Sequence, residues 1–92
     1  MLLHQLVKNI VEIDLGGQPD IEIKALTADS RIVETGALFV AMRGGDHDGH
    51  DFLEDAADQG AVAAVGERDD PGLGVPYFQV PDSRLAWAQI AA

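Results

Sequence analysis

Leu2, Leu3, Leu6, Val7 and Ile10 recur at the three-and-four spacing of one helix face, which predicts a short amphipathic helix at the start of the chain. Gly16-Gly17-Gln18-Pro19-Asp20 reads as a turn. Ile21, Ile23 and Ala25 then alternate with Asp20, Glu22 and Lys24, the pattern of a half-buried strand. Asp29-Ser30-Arg31 interrupts it, because Asp and Ser side chains bond their own backbone and compete with regular structure. Val33-Glu34-Thr35-Gly36 makes a second turn before Ala37–Met42, which is apolar at every position. A strand that alternates nothing must be covered on both faces, as central strands of α/β sheets are.

Arg43 to Asp51 is polar and glycine-rich, a loop that ends in a helix start. Asp51 reads as the N-cap of that helix, with Glu54 three residues on as its capping-box partner. Phe52, Leu53, Ala56 and Ala57 form its apolar stripe, and Gly60 reads as the C′ residue that stops it. Val62-Ala63-Ala64-Val65 is a short buried strand, so residues 37–65 predict one right-handed β-α-β unit. Asp69-Asp70-Pro71-Gly72 is a turn, and Tyr77-Phe78-Gln79-Val80 a last strand, with Pro76 tolerable at an edge or first position. Asp82 and Ser83 offer an N-cap for a helix over Arg84 to Ala92. This helix stops without glycine, proline or a basic last turn, which predicts that the chain is a piece of something longer. The whole reads as α/β: one small domain over residues 1–92, with a mixed or mostly parallel sheet of about four strands and flanking helices. Polar loops at the ends of its fully covered strand are where such domains hold ligands.

Composition narrows the function. Sixteen acids against six bases give a formal charge of −10, which argues against nucleic-acid backbones and anionic membrane surfaces as partners. It leaves room for one small anion held locally by backbone amides, a helix N-terminus or an arginine. Cysteine is absent, so there is no disulfide framework, thiolate nucleophile or thiolate zinc site, which fits a cytosolic protein. Lys8 interrupts the apolar start too early for a signal peptide, and no apolar run approaches the ~20 residues that span a bilayer.

The cluster Asp46, His47, Asp48, His50, Asp51 invites a metal reading. Set as a calcium loop with Gly49 at the required glycine, its first ligand falls on Gly44 and its last on the short Asp55, so the match fails at both anchors. His47 and His50 have no second spaced pair to complete a zinc site. Turn and cap chemistry is the commoner explanation of such a cluster. Ser30 has no nucleophile elbow and no triad; it either faces a ligand with Arg31 as a nearby cation or bonds within its own turn while Arg31 pairs with a neighbouring acid. Neither Gly-x-x-x-x-Gly-Lys-Ser/Thr nor a strand-borne Gly-x-Gly-x-x-Gly occurs. Trp87 and Tyr77 read as packing residues.

Leu26-Thr27-Ala28-Asp29-Ser30-Arg31, then Gly36-Ala37-Leu38-Phe39-Val40-Ala41, then Gly44, Asp48-Gly49-His50-Asp51-Phe52, Ala56 and Gly60-Ala61 closely resemble the N-terminal domain of the Mur ligases, the ATP-dependent amide-forming enzymes of peptidoglycan precursor synthesis. Val80-Pro81-Asp82-Ser83-Arg84-Leu85-Ala86 is most similar to the ligase that adds the third residue, diaminopimelate or lysine, to UDP-N-acetylmuramoyl-L-alanyl-D-glutamate; the ligase adding D-alanyl-D-alanine is the runner-up. A non-enzymatic acidic or metal-binding module is the alternative from another class. The resemblance implies a cytoplasmic bacterial protein whose domain holds the UDP end of the substrate. Ala28, Ser30 and Arg31 would face the nucleotide, and Gly45, Asp46 and His47 would form the loop around uracil and diphosphate. It also implies that ATP and Mg²⁺, which activate the substrate carboxylate as an acyl phosphate, are bound by a further domain in contact with this one. On that reading this chain binds and does not catalyse, and needs no cofactor of its own.

Overall fold

A computed structural model describes residues 2–7, 21–42, 48–69 and 71–91, with Ser30 and Ala91 described in their backbone only. Four strands, β1 (Ala25–Thr27), β2 (Ala37–Val40), β3 (Ala63–Gly66) and β4 (Tyr77–Gln79), form one sheet in the order β1-β2-β3-β4. Every pairing is parallel, with Leu26 opposite Leu38, Phe39 opposite Ala64 and Val65 opposite Phe78. The helices are α1 (Leu3–Val7), α2 (Leu53–Asp58) and α3 (Ser83–Ala91), with 3₁₀ turns at Ser30–Ile32 and Gly49–Phe52.

Strand alternation divides the core in two. Leu38, Val40, Ala63, Val65, Phe78 and Val80 pack with Leu3 and Val7 of α1 and Ala86 and Ile90 of α3. Phe39, Ala41 and Ala64 point the other way, onto Leu53 and Ala56 of α2 and onto Ala61. All of β2 is buried, as its unbroken apolar run requires.

The observed elements follow the sequence with three shifts. The first strand lies at Ala25–Thr27 rather than over residues 20–25, because the preceding segment is tied elsewhere: Leu3 N–H donates to the Ile21 carbonyl at 2.7 Å and Leu2 bridges Glu22 antiparallel. Ile23 is nonetheless buried and Glu22 and Lys24 exposed, so the alternation reports facing correctly. Asp51 does not cap α2. Phe52 takes the N-cap place without a side-chain bond, and Asp48 caps the 3₁₀ turn that precedes the helix, its carboxylate accepting the His50 N–H at 2.9 Å. Asp29-Ser30-Arg31 opens a 3₁₀ turn with Asp29 as its cap.

The other strands fall within two residues of the expected ones: β2 ends at Val40 rather than Met42, β3 runs one residue later than Val62–Val65, and β4 ends at Gln79 rather than Val80. Gly60 follows the last turn of α2 with φ +117°, a backbone region that disfavours any side chain. Residues 37–65 do form a β-α-β unit, and Asp82 caps α3, accepting the Arg84 and Leu85 N–H groups at 3.0 and 3.1 Å. The Gly16 to Asp20 turn and the far end of the N-terminal helix lie outside the described residues.

Candidate functional site at the carboxyl edge of the sheet

Because all four strands run parallel, their carboxyl ends open on one edge, where α/β proteins gather polar and ligand-binding groups. β1 leaves this edge into Ala28–Ile32 and β2 into Ala41 and Met42; Thr27 pairs with Phe39, so these two exits are neighbours.

At the first exit the buried Thr27 hydroxyl accepts the Asp29 N–H at 3.0 Å and donates to the Asp29 carbonyl at 3.2 Å, which fixes the turn around the half-buried Ala28. The Asp29 carboxylate accepts the Arg31 N–H at 2.9 Å and grips the Arg31 guanidinium with both oxygens, through Nε at 3.0 Å and Nη2 at 2.9 Å. The side-chain and backbone hydrogen bonds from Arg31 hold the Asp29 carboxyl down at about 2. The same bonding raises the Arg31 guanidinium, whose side chain is 86% exposed.

At the second exit the Gly49 N–H donates to the Met42 carbonyl at 2.8 Å. A Cβ on residue 49 would lie 2.8 Å from the Met42 nitrogen, so only glycine allows the returning chain to cross here. One residue before that crossing, Asp48 Oδ1 accepts both the His50 N–H at 2.9 Å and its ring Nδ1–H at 2.6 Å, while Oδ2 accepts from Arg68 Nη2 at 3.1 Å. Burial disfavours the Asp48 carboxylate, but the hydrogen bonds from His50, with the charge of Arg68, more than offset this and lower its pKa.

The His50 ring, 2% exposed, accepts the Glu67 N–H on Nε2 at 2.8 Å. A ring nitrogen that accepts carries no proton, so the proton sits on Nδ1, toward Asp48. Beyond it, Arg68 Nη1 reaches Asp51 at 3.3 Å and the Tyr77 hydroxyl donates to the Arg68 carbonyl at 2.7 Å. The Glu67 carboxylate accepts the Ser83 N–H at 2.8 Å.

Of the site residues expected from the sequence, Ala28, Arg31 and the backbone of Ser30 stand together at the first exit. Gly45, Asp46 and His47 lie outside the described residues. In the Asp/His cluster, Asp48 and His50 are engaged in cap and turn bonding, and among the described residues no group of three or more His, Cys, Asp or Glu is placed to hold a metal ion. Sequence reading overlooked Glu67 and Arg68, whose signal was the abrupt change from the apolar Ala61–Val65 run to two charged residues at a strand end.

A family model described as Mur ligase family, catalytic domain, matches residues 22–92. The UDP-N-acetylmuramoyl-L-alanyl-D-glutamate--2,6-diaminopimelate ligase of Bacteroides thetaiotaomicron is 43% identical over 93 residues, covering 99% of this chain and 19% of that ligase. The ligase of the same name from Geobacillus thermodenitrificans is 51% identical over 76 residues, 83% of this chain and 15% of that ligase. Among solved structures, MurF from Acinetobacter baumannii superposes with a TM-score of 0.68 at 29% identity, over 95% of this chain and 18% of that one. MurF ligase from Thermotoga maritima, in complex with ADP, does so with a TM-score of 0.66 at 34% identity, over 73% of this chain and 16% of that one. The chain thus spans about a fifth of the length of the curated relatives it matches.

Proposed function

Since the chain belongs to the Mur ligase family, we propose that it is the N-terminal, substrate-anchoring domain of a ligase that adds diaminopimelate or lysine to UDP-N-acetylmuramoyl-L-alanyl-D-glutamate. Its part is to hold the UDP end of that substrate at the carboxyl edge, with Ala28, Ser30 and Arg31 on one side and Gly45, Asp46 and His47 on the other. The observation that carries this is the adjacency of the two exits: β1 and β2 are paired neighbours, so the chain leaving Thr27 and the chain leaving Val40 border one space. A diphosphate there is met by an exposed guanidinium at Arg31, already oriented by Asp29. The relatives named above carry UDP-N-acetylmuramoyl-L-alanyl-D-glutamate in their names, which favours the third-residue enzyme. The MurF likenesses support the D-alanyl-D-alanine-adding ligase as the second reading, at lower identity.

The domain contributes binding energy remote from the reacting carboxylate, which orients the peptide end for chemistry on other protein. ATP and Mg²⁺ would supply carboxylate activation there, in contact with this domain and in the cytoplasm. The residues of this chain do not fit that role: the sequence has no phosphate-binding loop with lysine, and the described residues offer no metal cluster. Among the described residues no helix is long and apolar enough to cross a membrane.

The test is an NMR titration of the chain with UDP and with the UDP-muramoyl dipeptide. Shifts concentrated at residues 28–31 and 45–47 are expected; their absence there overturns the assignment.

A further inference from the structure

We infer that Thr27 is a positioning residue for the nucleotide site, holding the Arg31 guanidinium in place through Asp29; the inference rests on the reading above. Thr27 is the last residue of β1, paired with the wholly buried Phe39 and itself 7% exposed, so its hydroxyl is a fixed point on the sheet. Valine would fill that volume equally well, and a buried hydroxyl is a cost unless it is bonded. This one is bonded twice, both times to Asp29: it accepts the N–H at 3.0 Å and donates to the carbonyl at 3.2 Å. The two peptide groups that flank the Asp29 Cα are thereby tied to one atom, which sets the direction of the Cα–Cβ bond between them, at φ −113° and ψ 112°. That direction carries the carboxylate to the Arg31 N–H at 2.9 Å, and to Nε and Nη2 at 3.0 and 2.9 Å. The Ile32 N–H also reaches the Asp29 carbonyl, at 3.2 Å, so the 3₁₀ turn holds that group without help. Among the described residues, however, the Asp29 N–H has only Thr27 as its acceptor. Each step from the strand to the guanidinium is a direct hydrogen bond.

Thr27→Val keeps the volume and loses the hydroxyl, whereas Thr27→Ser keeps the hydroxyl. In each variant the Asp29 titration is followed by carbon NMR and UDP affinity by calorimetry, with folding checked by circular dichroism. Thr27→Val should raise the Asp29 titration above the wild-type value of about 2. It should also weaken UDP about fivefold, the loss of one hydrogen bond. Thr27→Ser should keep the wild-type titration and bind UDP within about twofold of wild type. The decisive arm uses Arg31→Met: in that background Thr27→Val should weaken UDP no further, because the guanidinium through which Thr27 acts is gone. A folded Thr27→Val with wild-type affinity, a Thr27→Ser as weak as Thr27→Val, or equal weakening in both backgrounds overturns the inference and leaves the UDP reading standing. If Thr27→Val does not fold, hydrogen exchange at the Asp29 amide of the wild type decides. Saturating UDP should slow that exchange several-fold, because a ligand held by the positioned Arg31 favours the closed turn; unchanged exchange in a chain that binds UDP overturns the inference alone. No UDP binding by the wild type removes the functional reading and this inference together.

Discussion

The Tyr77 hydroxyl lies where a side chain on Gly66 would begin, so the side chain rooted at the first residue of β4 and the last residue of β3 share one volume. Gly66 therefore owes its identity to a neighbour, since its backbone is ordinary strand. His50 closes the same space from the other side, with Cδ2 and Nε2 at 3.0 and 3.1 Å from the position of a built Cβ. Gly66→Ala should cost about 1–3 kcal/mol in urea unfolding, the range for overpacking a filled core. Combining it with Tyr77→Phe, which removes the crossing hydroxyl, should give less destabilisation than the sum of the singles, because the two changes act on one contact. Strict additivity in the double-mutant cycle would show that the clash is relieved elsewhere.

Asp48 makes the stability of this edge depend on acidity. Its folded-state pKa is lowered, so ionised Asp48 stabilises the fold above the unfolded carboxyl value of about 3.9, and that contribution disappears as pH falls through the lower folded value. Asp48→Asn should be less stable than wild type at pH 7, and the gap should narrow as the pH drops below about 4. Urea midpoints measured at pH 7 and pH 3 check this. A gap of equal size at both pH values would mean that the carboxylate's charge is not what Asp48 contributes.

Periodicity located these elements because burial is what periodicity records. The unbroken apolar run at Ala37–Met42 named the central strand, and the alternation at Ile21 and Ile23 marked the right inward face even though pairing begins at Ala25. Pairing partners are not written in facing alone, so the bridge from Leu2 to Glu22 that displaces this strand was invisible. The Asp51 cap was misplaced for a local reason: Asp48 and Asp51 both precede the helical stripe, and only the 3₁₀ turn between them shows which carboxylate meets a free N–H. His50 was read as part of a polar loop. Its partner lies seventeen residues away on the next strand, beyond the reach of any window along the sequence.

Core and surface should answer very differently to truncation. Phe39 is wholly buried in the middle of β2 against α2, whereas Leu85 on α3 is 56% exposed. Phe39→Ala should lower stability by about 3–5 kcal/mol, enough to unfold a domain of this size at 37 °C. Leu85→Ala should change it by no more than about 0.5 kcal/mol. Thermal melts of both variants check the pair. A comparable loss at Leu85 would indicate that this side chain is covered in solution.

Asp29 and Arg31 form a reporter that can be read on the unmodified chain. The guanidinium keeps the Asp29 carboxyl at about 2 through the hydrogen bonds it donates to both carboxylate oxygens. Arg31→Met should therefore let the Asp29 titration, followed by carbon NMR, move up toward the ordinary value of about 3.9. The same resonance tests the ligand. A diphosphate recruiting the Arg31 guanidinium competes with Asp29 for its donors, so saturating UDP should raise the Asp29 titration in the wild type and leave it unmoved in Arg31→Met. If UDP binds and the Asp29 titration stays at about 2, Arg31 remains with its carboxylate partner and the diphosphate must be held by other groups of the edge.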